Sequence, residues 1–391
     1  MTPSITDARS TADSLIERFQ ARHGARPRIF RAPGRLNLIG EHTDYNDGFV
    51  MPAAIDFSTW IATSPRSDRV LHAYAEQFTE AISLSIDDLA GAPRKHWGDF
   101  VRGVAAVLQQ EGCDLSGANL VIHGEVPLGA GLSSSAALEV SVALALLSAS
   151  NSPLPLLEIV KLCQRAEHEY VGTRCGIMDQ FIAAFGISGH ALLLDCRSLD
   201  YELLPLSSEV RLLVCNSMVK HEHAAGEYNR RRSDCEAGVQ ALKQNLPNIR
   251  ALRDVSIKEL EEFKDVLPPV VYQRCRHVVS ENQRVREAGK ALQSGDLVHF
   301  GALMYQSHAS LRNDYDVSCQ EVDLLVELAS ACDGVYGARM TGGGFGGCTI
   351  SLVRADAADR VQNQIVELYR RKTGRAPEIY VCTAAQGAEE W

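Results

Sequence analysis

The sequence predicts an α+β fold built from two domains. Segments of strand character and segments of helix character are mixed along the chain rather than strictly alternating. This mixing favours separate layers of helices and sheets over a doubly wound parallel sheet. A length of 391 residues allows about two to four domains. We place the boundary so that residues 1–195 form an N-terminal domain and residues 196–391 a C-terminal domain.

The elements follow in order from local patterns of apolar residues. In the first half, helical spacing predicts helices over residues 11–22, 99–110, 135–148 and 155–170. Alternating or β-branched runs predict strands at residues 28–31, 50–63, 69–75, 118–124 and 190–195. The second half continues with strands at 211–216 and 348–353 and with helices near 227–244, 256–264, 277–293 and 318–332.

The composition fits a globular protein with no general affinity for nucleic acid or anionic membranes. Asp and Glu outnumber Lys and Arg by 49 to 39, which gives a formal net charge of −10. Met1 to Ser10 lacks a basic stretch followed by an apolar core, so we expect no secretory signal peptide. The most apolar run, Ala136 to Ala149, contains Glu139 and is shorter than the ~20 residues that span a bilayer. The 11 cysteines have no C-x-x-C spacing, which predicts free thiols in the cytoplasm.

A glycine- and serine-rich turn, Pro127 to Ala137, lies between a predicted strand and an apolar predicted helix. Glycines allow a close approach of the backbone to a ligand, and the free N–H groups at a helix N-terminus favour anions. The turn therefore has the properties of a phosphate-binding loop, although no Gly-Lys-Ser/Thr closes it as in a Walker A motif. The plain structural alternative is a glycine turn followed by a serine that caps the helix.

Two further segments place polar groups close together. The segment Arg31 to Asn46 carries two glycines and several polar or charged side chains that suit a hydroxyl-rich ligand, although a solvated loop with local salt bridges would also explain its charges. Glu167 lies 12 residues before Asp179. One of these acids could hold Mg²⁺ and the other could act as a base or orient a substrate. For Asp179, an acid at a helix N-terminus is the structural alternative.

A last glycine-rich segment, Met340 to Cys348, formally matches G-x-G-x-x-G. A Rossmann fingerprint needs a helix after the glycines, whereas the residues that follow predict a strand. A protein-kinase glycine loop is also disfavoured, because the chain lacks the His-Arg-Asp and Asp-Phe-Gly motifs that accompany such a loop. The segment fits a flexible loop that closes over a ligand, and a wide hairpin turn is the alternative.

Together these segments resemble the galactokinase family of the GHMP kinase superfamily. Arg35 to Tyr45 is similar to the galactokinase signature, Pro127 to Ala137 to the phosphate loop of the superfamily, and Met340 to Cys348 to its C-terminal glycine motif. The order and approximate spacing of the motifs also match. The chain departs from the usual pattern at Asp99 and Phe100, where many relatives carry Asn and Tyr.

The resemblance implies a two-domain GHMP kinase fold with a ribosomal-S5-like N-terminal domain and a ferredoxin-like C-terminal domain. It implies transfer of the γ-phosphoryl group of MgATP to the C1 hydroxyl of α-D-galactose, which gives α-D-galactose 1-phosphate and ADP in the Leloir pathway. We expect a cytoplasmic monomer with ATP and Mg²⁺ as cofactors and galactose as substrate, and with no nucleic-acid or membrane partner.

The resemblance also assigns roles to individual residues. Asp179 resembles the catalytic base, and Arg35 resembles the neighbour that stabilises charge and keeps the base ionised. Whether Asp179 takes the proton of the sugar hydroxyl or only orients that hydroxyl stays open. Besides Arg35 and Asp179, the implied sugar contacts are Glu41, His42, Asp44, Gly176 and Tyr228. The implied phosphate loop consists of Gly129, Gly131, Ser133, Ser134 and Ser135; Ser135 and Glu167 resemble Mg²⁺ ligands, and Trp97 lies where the family packs adenine.

Three other interpretations account for part of the sequence. N-acetylgalactosamine kinases share the scaffold, but their signature tends to continue as Asp-Tyr-Cys-Gly, whereas here Asp44 to Gly48 favours plain galactose. Galactokinase-like sensors bind ATP and galactose without catalysis and have lost part of the serine loop. Here the serine loop and Asp179 are intact, which favours an active enzyme. An unrelated globular protein would leave the ordered set of motifs unexplained.

Overall fold

The structure, a computed structural model, describes residues 8–220 and 224–391. Most of the segment behind our signal-peptide expectation, Met1 to Ser10, lies outside the described residues. Among the described residues, no helix combines the length and the apolar character that a membrane span requires. The 11 cysteines all lie in the described part of the chain, and none of them forms a disulfide there.

Helices and strands alternate irregularly along the chain. The helices are α1 (Ala8–His23), α2 (Gly98–Gln110), α3 (Ser134–Ala149), α4 (Leu156–Ala166), α5 (Met178–Phe185), α6 (Ala224–Leu242), α7 (Ile257–Glu262), α8 (Pro269–Gln293), α9 (Leu297–Ser310), α10 (Gln320–Ser330) and α11 (Ala358–Thr373). The strands are β1 (Arg28–Asn37), β2 (Phe49–Val50), β3 (Pro52–Pro65), β4 (Val70–Ala75), β5 (Glu80–Ser85), β6 (Ala118–Gly124), β7 (His190–Asp195), β8 (Tyr201–Pro205), β9 (Val210–Lys220), β10 (Val335–Thr341), β11 (Gly346–Arg354), β12 (Glu378–Cys382) and β13 (Glu389–Glu390).

The described residues form two compact units whose segments interleave along the chain. The first unit contains the chain from α1 to Arg35, Ala54–Ser188 and Ala385–Trp391. The second unit contains Leu36–Ala53 and Gly189–Ala384. The predicted domain boundary between residues 195 and 196 stays a prediction.

The first unit is built on a six-stranded sheet with the order β13-β1-β3-β6-β4-β5. β4 runs parallel to β6, whereas β3 runs antiparallel to β6 with Trp60 opposite His123. Helix α1 buries Leu15 and Phe19 in a cluster with Trp60 and Val121 of this sheet. Helices α2 to α5 pack against one another, and α3, which is apolar on nearly all sides, contacts the other three. This helical layer carries the residues of the predicted phosphate loop and the predicted base.

The second unit contains an antiparallel sheet with the order β10-β11-β9-β12 and a smaller sheet with the order β2-β7-β8. Helices α10 and α11 bury Leu325 and Ile365 in a cluster with Leu213 of β9. A second cluster unites apolar residues of α6 and α8, among them Leu242 and Val278. Residues 342–345 join β10 to β11 as a hairpin connection, so a strand follows the glycine-rich segment as its sequence predicts. Closure of this loop over a ligand stays a prediction.

Candidate active site

In the first unit, an arginine and an aspartate distant in sequence form a two-pronged ion pair. Arg35 lies near the end of β1, and Asp179 lies in the first turn of α5. Nε and Nη2 of Arg35 donate to Oδ1 and Oδ2 of Asp179 at 2.7 and 2.6 Å. The Arg35 side chain is 8% exposed and that of Asp179 is 21% exposed. The carboxylate is therefore fixed by a buried cation and still reaches solvent, an arrangement suited to a group that meets a substrate hydroxyl.

The predicted phosphate loop approaches this ion pair. Arg35 Nη1 donates to the carbonyl of Gly131, the Arg35 amide donates to the carbonyl of Leu132, and the Ser133 hydroxyl donates to Oδ2 of Asp179. Gly129 and Gly131 both have a φ of 69°, and Ser133 has a φ of 57° just before α3 begins. Non-glycine residues rarely adopt such a conformation outside functional or tightly constrained turns. The loop and the acid thus share one hydrogen-bonded arrangement.

Trp97 lies near two serines of the same loop. A cavity of about 110 Å³ is lined by Trp97, Ser134 and Ser135 together with apolar side chains that include Phe78 and Leu128. The Trp97 and Phe78 rings are stacked with an interplanar angle of 15° and centroids 6.3 Å apart. Sequence reasoning missed Phe78, because an exposed phenylalanine in a turn carries no motif. A flat apolar slot next to a helix N-terminus can accept a purine ring with its phosphates on the loop.

Asp99 explains how the segment before Trp97 is held. Its carboxylate accepts hydrogen bonds from the backbone N–H groups of Arg94 and His96 and from Arg102 Nη2, the last at 2.8 Å. Arg102 is buried and also donates to the backbone carbonyl of Gly91. Asp99 therefore has a buried cation as its partner.

Glu167 begins a π-helical turn, Glu167–Val171, that follows α4, and it is buried. Its Oε2 accepts hydrogen bonds from Gln180 Nε2 at 2.7 Å and from the Cys175 thiol at 3.4 Å. Burial and the nearby charge of Asp179 raise the pKa of Glu167 to about 7. Gly176, an implied sugar contact, is buried in the segment between this turn and α5.

The donor set at Glu167 fits a magnesium ion. Mg²⁺ prefers oxygen ligands and usually takes one or two carboxylates, with phosphates and water completing its shell. Buried carboxyl groups that have no cationic partner gain from a bound cation, and Glu167 makes no ion pair in the described part of the chain. Ser135 and Glu167 would be the protein ligands. Among residues 8–220 and 224–391, no cluster of three or more His, Cys, Asp or Glu side chains is arranged to hold a metal ion.

In the second unit, Glu41 is fixed by the strand that leads into the C-terminal glycine motif. It is 3% exposed, and its Oε1 accepts hydrogen bonds from the backbone N–H of Gly342 at 2.8 Å and from the Thr341 hydroxyl at 3.1 Å. Arg339, which is fully buried, lies 3.4 Å from the same oxygen. The signature and the glycine motif, about 300 residues apart in sequence, thus meet at this carboxylate.

His42 and Tyr228 belong to an aromatic group in the same unit. The His42 ring lies 5.4 Å from the Tyr228 ring and 4.7 Å from the Tyr315 ring, and its Nδ1 is 2.7 Å from the Tyr45 hydroxyl. Burial holds the pKa of His42 well below its usual range, so the imidazole is neutral at pH 7. Asp44, which is half-buried, begins the short 3₁₀ turn that follows.

Three family models match the chain. The galactokinase galactose-binding signature matches residues 17–65, the GHMP kinases N terminal domain matches residues 99–187, and the GHMP kinases C terminal domain matches residues 289–371. A curated galactokinase from Roseiflexus sp. (strain RS-1) is 48% identical over 95% of this chain and 95% of its own length. One from Pasteurella multocida (strain Pm70) is 45% identical over 94% of this chain and 96% of its own length.

The chain belongs to the galactokinase family.

Solved structures agree with this assignment. The crystal structure of Lactococcus lactis galactokinase complexed with galactose is 35% identical and covers 97% of this chain and 100% of its own, with a TM-score of 0.93. A mevalonate kinase from Methanococcus jannaschii shares the fold, with 18% identity and a TM-score of 0.63 over 93% of this chain and 100% of its own. The predicted family, the GHMP kinase fold and the kinase class are confirmed. The roles of individual residues stay predictions.

Proposed function

We propose that the protein is an active galactokinase that transfers the γ-phosphoryl group of MgATP to the C1 hydroxyl of α-D-galactose. The products are α-D-galactose 1-phosphate and ADP, and the reaction belongs to the Leloir pathway of galactose metabolism. Galactose as the acceptor is supported by the galactose-binding signature and by the galactose complex of the Lactococcus lactis relative.

The Arg35–Asp179 ion pair is the observation that carries this proposal. A sugar hydroxyl has a pKa far above 7, so its attack on phosphorus is slow unless its proton is taken up. Arg35 fixes the position of the Asp179 carboxylate, because its guanidinium always carries its charge and makes two hydrogen bonds to the carboxylate. Asp179 then accepts the proton of the C1 hydroxyl, or orients that hydroxyl for in-line attack.

The remaining residues bind and orient the two substrates. The backbone of Gly129 and Gly131 and the hydroxyls of Ser133, Ser134 and Ser135 hold the phosphates at the N-terminus of α3. Trp97 packs against the adenine. A bound magnesium ion would offset the negative charge of the phosphates, and Ser135 and Glu167 would hold it. Glu41, His42, Asp44, Gly176 and Tyr228, together with Arg35 and Asp179, contact the sugar.

We also propose that the enzyme works as a monomer in the cytoplasm. The formal net charge of −10 and the free cysteines support a reducing compartment without anionic partners. Size-exclusion chromatography with light scattering checks the monomer, since a mass near 85 kDa instead of 42.7 kDa would indicate a dimer.

Coupled ADP release tests the proposed function. MgATP is offered with galactose, N-acetylgalactosamine, glucose or arabinose, and the product is examined by phosphorus and proton NMR. We expect turnover on galactose with the phosphate at C1. Turnover on another sugar only would contradict galactose as the substrate, and the residues assigned to sugar contacts would then have to be revised. Binding of ATP and galactose without turnover would indicate a sensor instead of an enzyme.

A further inference from the structure

A buried carboxamide joins two buried carboxyl groups inside the first unit. Nε2 of Gln180 donates to Oε2 of Glu167 at 2.7 Å and to Oε2 of Glu139 at 2.9 Å. Gln180 and Glu139 are fully buried, and Glu167 is 7% exposed. One amide nitrogen thus uses both of its N–H groups to hold two acids that lie on different helical segments.

This arrangement is unusual for a purely structural core. Neither acid makes an ion pair with a cationic side chain among the described residues, and Oε1 of Glu139 and Oε1 of Gln180 have no hydrogen-bond partner there. Buried carboxyl groups and unsatisfied polar oxygens reduce stability relative to an apolar core of the same shape. Burial and the charge of Glu167 hold the pKa of Glu139 well above its usual range.

The three side chains connect the elements that carry the reaction residues. Glu139 lies on α3, one helical turn after Ser135, and therefore on the same face. Gln180 directly follows Asp179 in α5, and Glu167 opens the π-helical turn after α4. The amide links these three elements near Ser135, Glu167 and Asp179.

We propose that Glu139 is a positioning residue: through the Gln180 carboxamide it orients the Glu167 carboxylate toward the magnesium ion of MgATP. This inference rests on the proposed function, because it assumes that MgATP is a substrate. The hydrogen bonds from Gln180 and Cys175 both reach Oε2 of Glu167. Oε1 accepts none from the described residues, so it is the oxygen left for the cation. Glu139 fixes the amide, and the amide fixes which oxygen of Glu167 faces the ion.

Binding of Mn²⁺, a paramagnetic substitute for Mg²⁺, tests the proposal by a measurement that does not depend on catalysis. Electron paramagnetic resonance measures the affinity of Mn²⁺ for the complex of the enzyme with the ATP analogue AMP-PNP. Partners that orient metal ligands typically change metal affinity about 10–100-fold when they are removed. We expect E139L, which has no acceptor for the Gln180 N–H, to weaken Mn²⁺ binding by about that factor. E139Q keeps a carbonyl acceptor at the same place and should stay within about threefold of the wild type.

Controls separate positioning from damage to the helix core. S141A removes another fully buried polar group of α3, one that bonds only to backbone carbonyls, and should leave Mn²⁺ affinity unchanged. Galactose affinity by calorimetry should be the same in all variants. If E139L fails to fold, Q180M removes the amide directly and should show the same loss of Mn²⁺ affinity.

E139L or Q180M with the Mn²⁺ affinity of the wild type would overturn the proposal, even if either variant melts at a lower temperature. E139Q as weak as E139L would also overturn it, because the charge of Glu139 would then matter rather than its hydrogen bond. Wild-type enzyme that binds neither Mn²⁺ nor AMP-PNP would instead contradict the proposed function, so the two failures are distinguishable.

Discussion

Replacement of Asp179 by asparagine is the sharpest perturbation that the structure suggests. Asparagine keeps the size of the side chain, and its carbonyl oxygen can still accept one of the two hydrogen bonds that Arg35 now donates to the carboxylate. Its NH₂ group faces the other Arg35 donor. The variant also lacks the negative charge that can take up or orient the proton of a sugar hydroxyl.

The expected effects on rate and on stability differ in size. Loss of a general base typically lowers the rate about 10²–10⁴-fold, or about 3–5 kcal/mol in the activation barrier. Loss of one hydrogen bond between charged groups costs about 1.5–3 kcal/mol of stability, and the 21% exposure of Asp179 places this case at the low end. Domains are stable by about 5–15 kcal/mol. Asp179→Asn should therefore fold and bind ATP but lose turnover.

An ion pair of the same geometry on the protein surface provides the control for this variant. Arg66 and Asp68 form the same two-pronged geometry at 2.8 and 2.6 Å, but Asp68 is 47% exposed. Coupled ADP release with galactose and MgATP is measured for Asp179→Asn and Asp68→Asn, and ATP binding is measured by calorimetry. Only the first variant should lose turnover, and both should bind ATP like the wild type. Turnover of Asp179→Asn within tenfold of the wild type would refute the role assigned to this carboxylate.

Three further predictions concern the nucleotide, the glycine motif and acid stability. Trp97→Ala should raise the KM for ATP about tenfold, because stacking of an aromatic ring on a base contributes about 1–3 kcal/mol. The KM for galactose should stay unchanged. Steady-state kinetics that show an equal rise in both KM values would contradict this prediction. Gly344 has a φ of 85°, and a Cβ there would lie 2.5 Å from the Val317 carbonyl oxygen, whereas a Cβ at Gly347, with a φ of 76°, meets open space. Gly347→Ala should lower the free energy of unfolding in urea by ~1–3 kcal/mol through backbone strain alone, and Gly344→Ala should lower it by more. An equal decrease in the two variants would contradict this prediction. Burial lowers the pKa of His277 from 6.5 to about 4. As the pH falls, His277 therefore takes up a proton in the unfolded chain before it does so in the folded protein. The free energy of unfolding that neutral His277 contributes above pH 6.5 is lost between pH 6.5 and about 4. The free energy of unfolding of the wild type and of His277→Gln is measured across this pH range. It should fall by about 3 kcal/mol less in the variant, and an equal fall in both proteins would contradict this prediction.

Most local elements were predictable because short-range patterns determine them. The strand over residues 118–124 coincides with β6, and the helix predicted over 135–148 is α3 within one residue at each end. The helix predicted over 155–170 is α4 followed by a π-helical turn, a change of helical pitch for which the sequence has no clear signal. Helix α9 was not predicted. Its residues include His299, Gly301 and Ser307, which weaken the apolar periodicity on which such a prediction depends.

The candidate site was predictable only as separate motifs. The resemblance to the galactokinase family indicated Arg35 and Asp179 as functional, and the structure adds that they share two hydrogen bonds across 144 residues of chain. Phe78 was missed because a single aromatic residue in a turn has no distinguishing neighbours. Glu139 was missed because it lies in an apolar run, where it only argued against a membrane span.

The sequence by itself determined the family, the helices and strands near the motifs, and the chemical type of most candidate groups, since these depend on residues close together in the chain. The tertiary structure decided which oxygen of Glu167 is hydrogen-bonded, that Gln180 bridges it to Glu139, and that Glu41 is held by Gly342 and Thr341. Such contacts join residues that are far apart in sequence. Packing of complete helices and strands sets their geometry, and no local pattern encodes it.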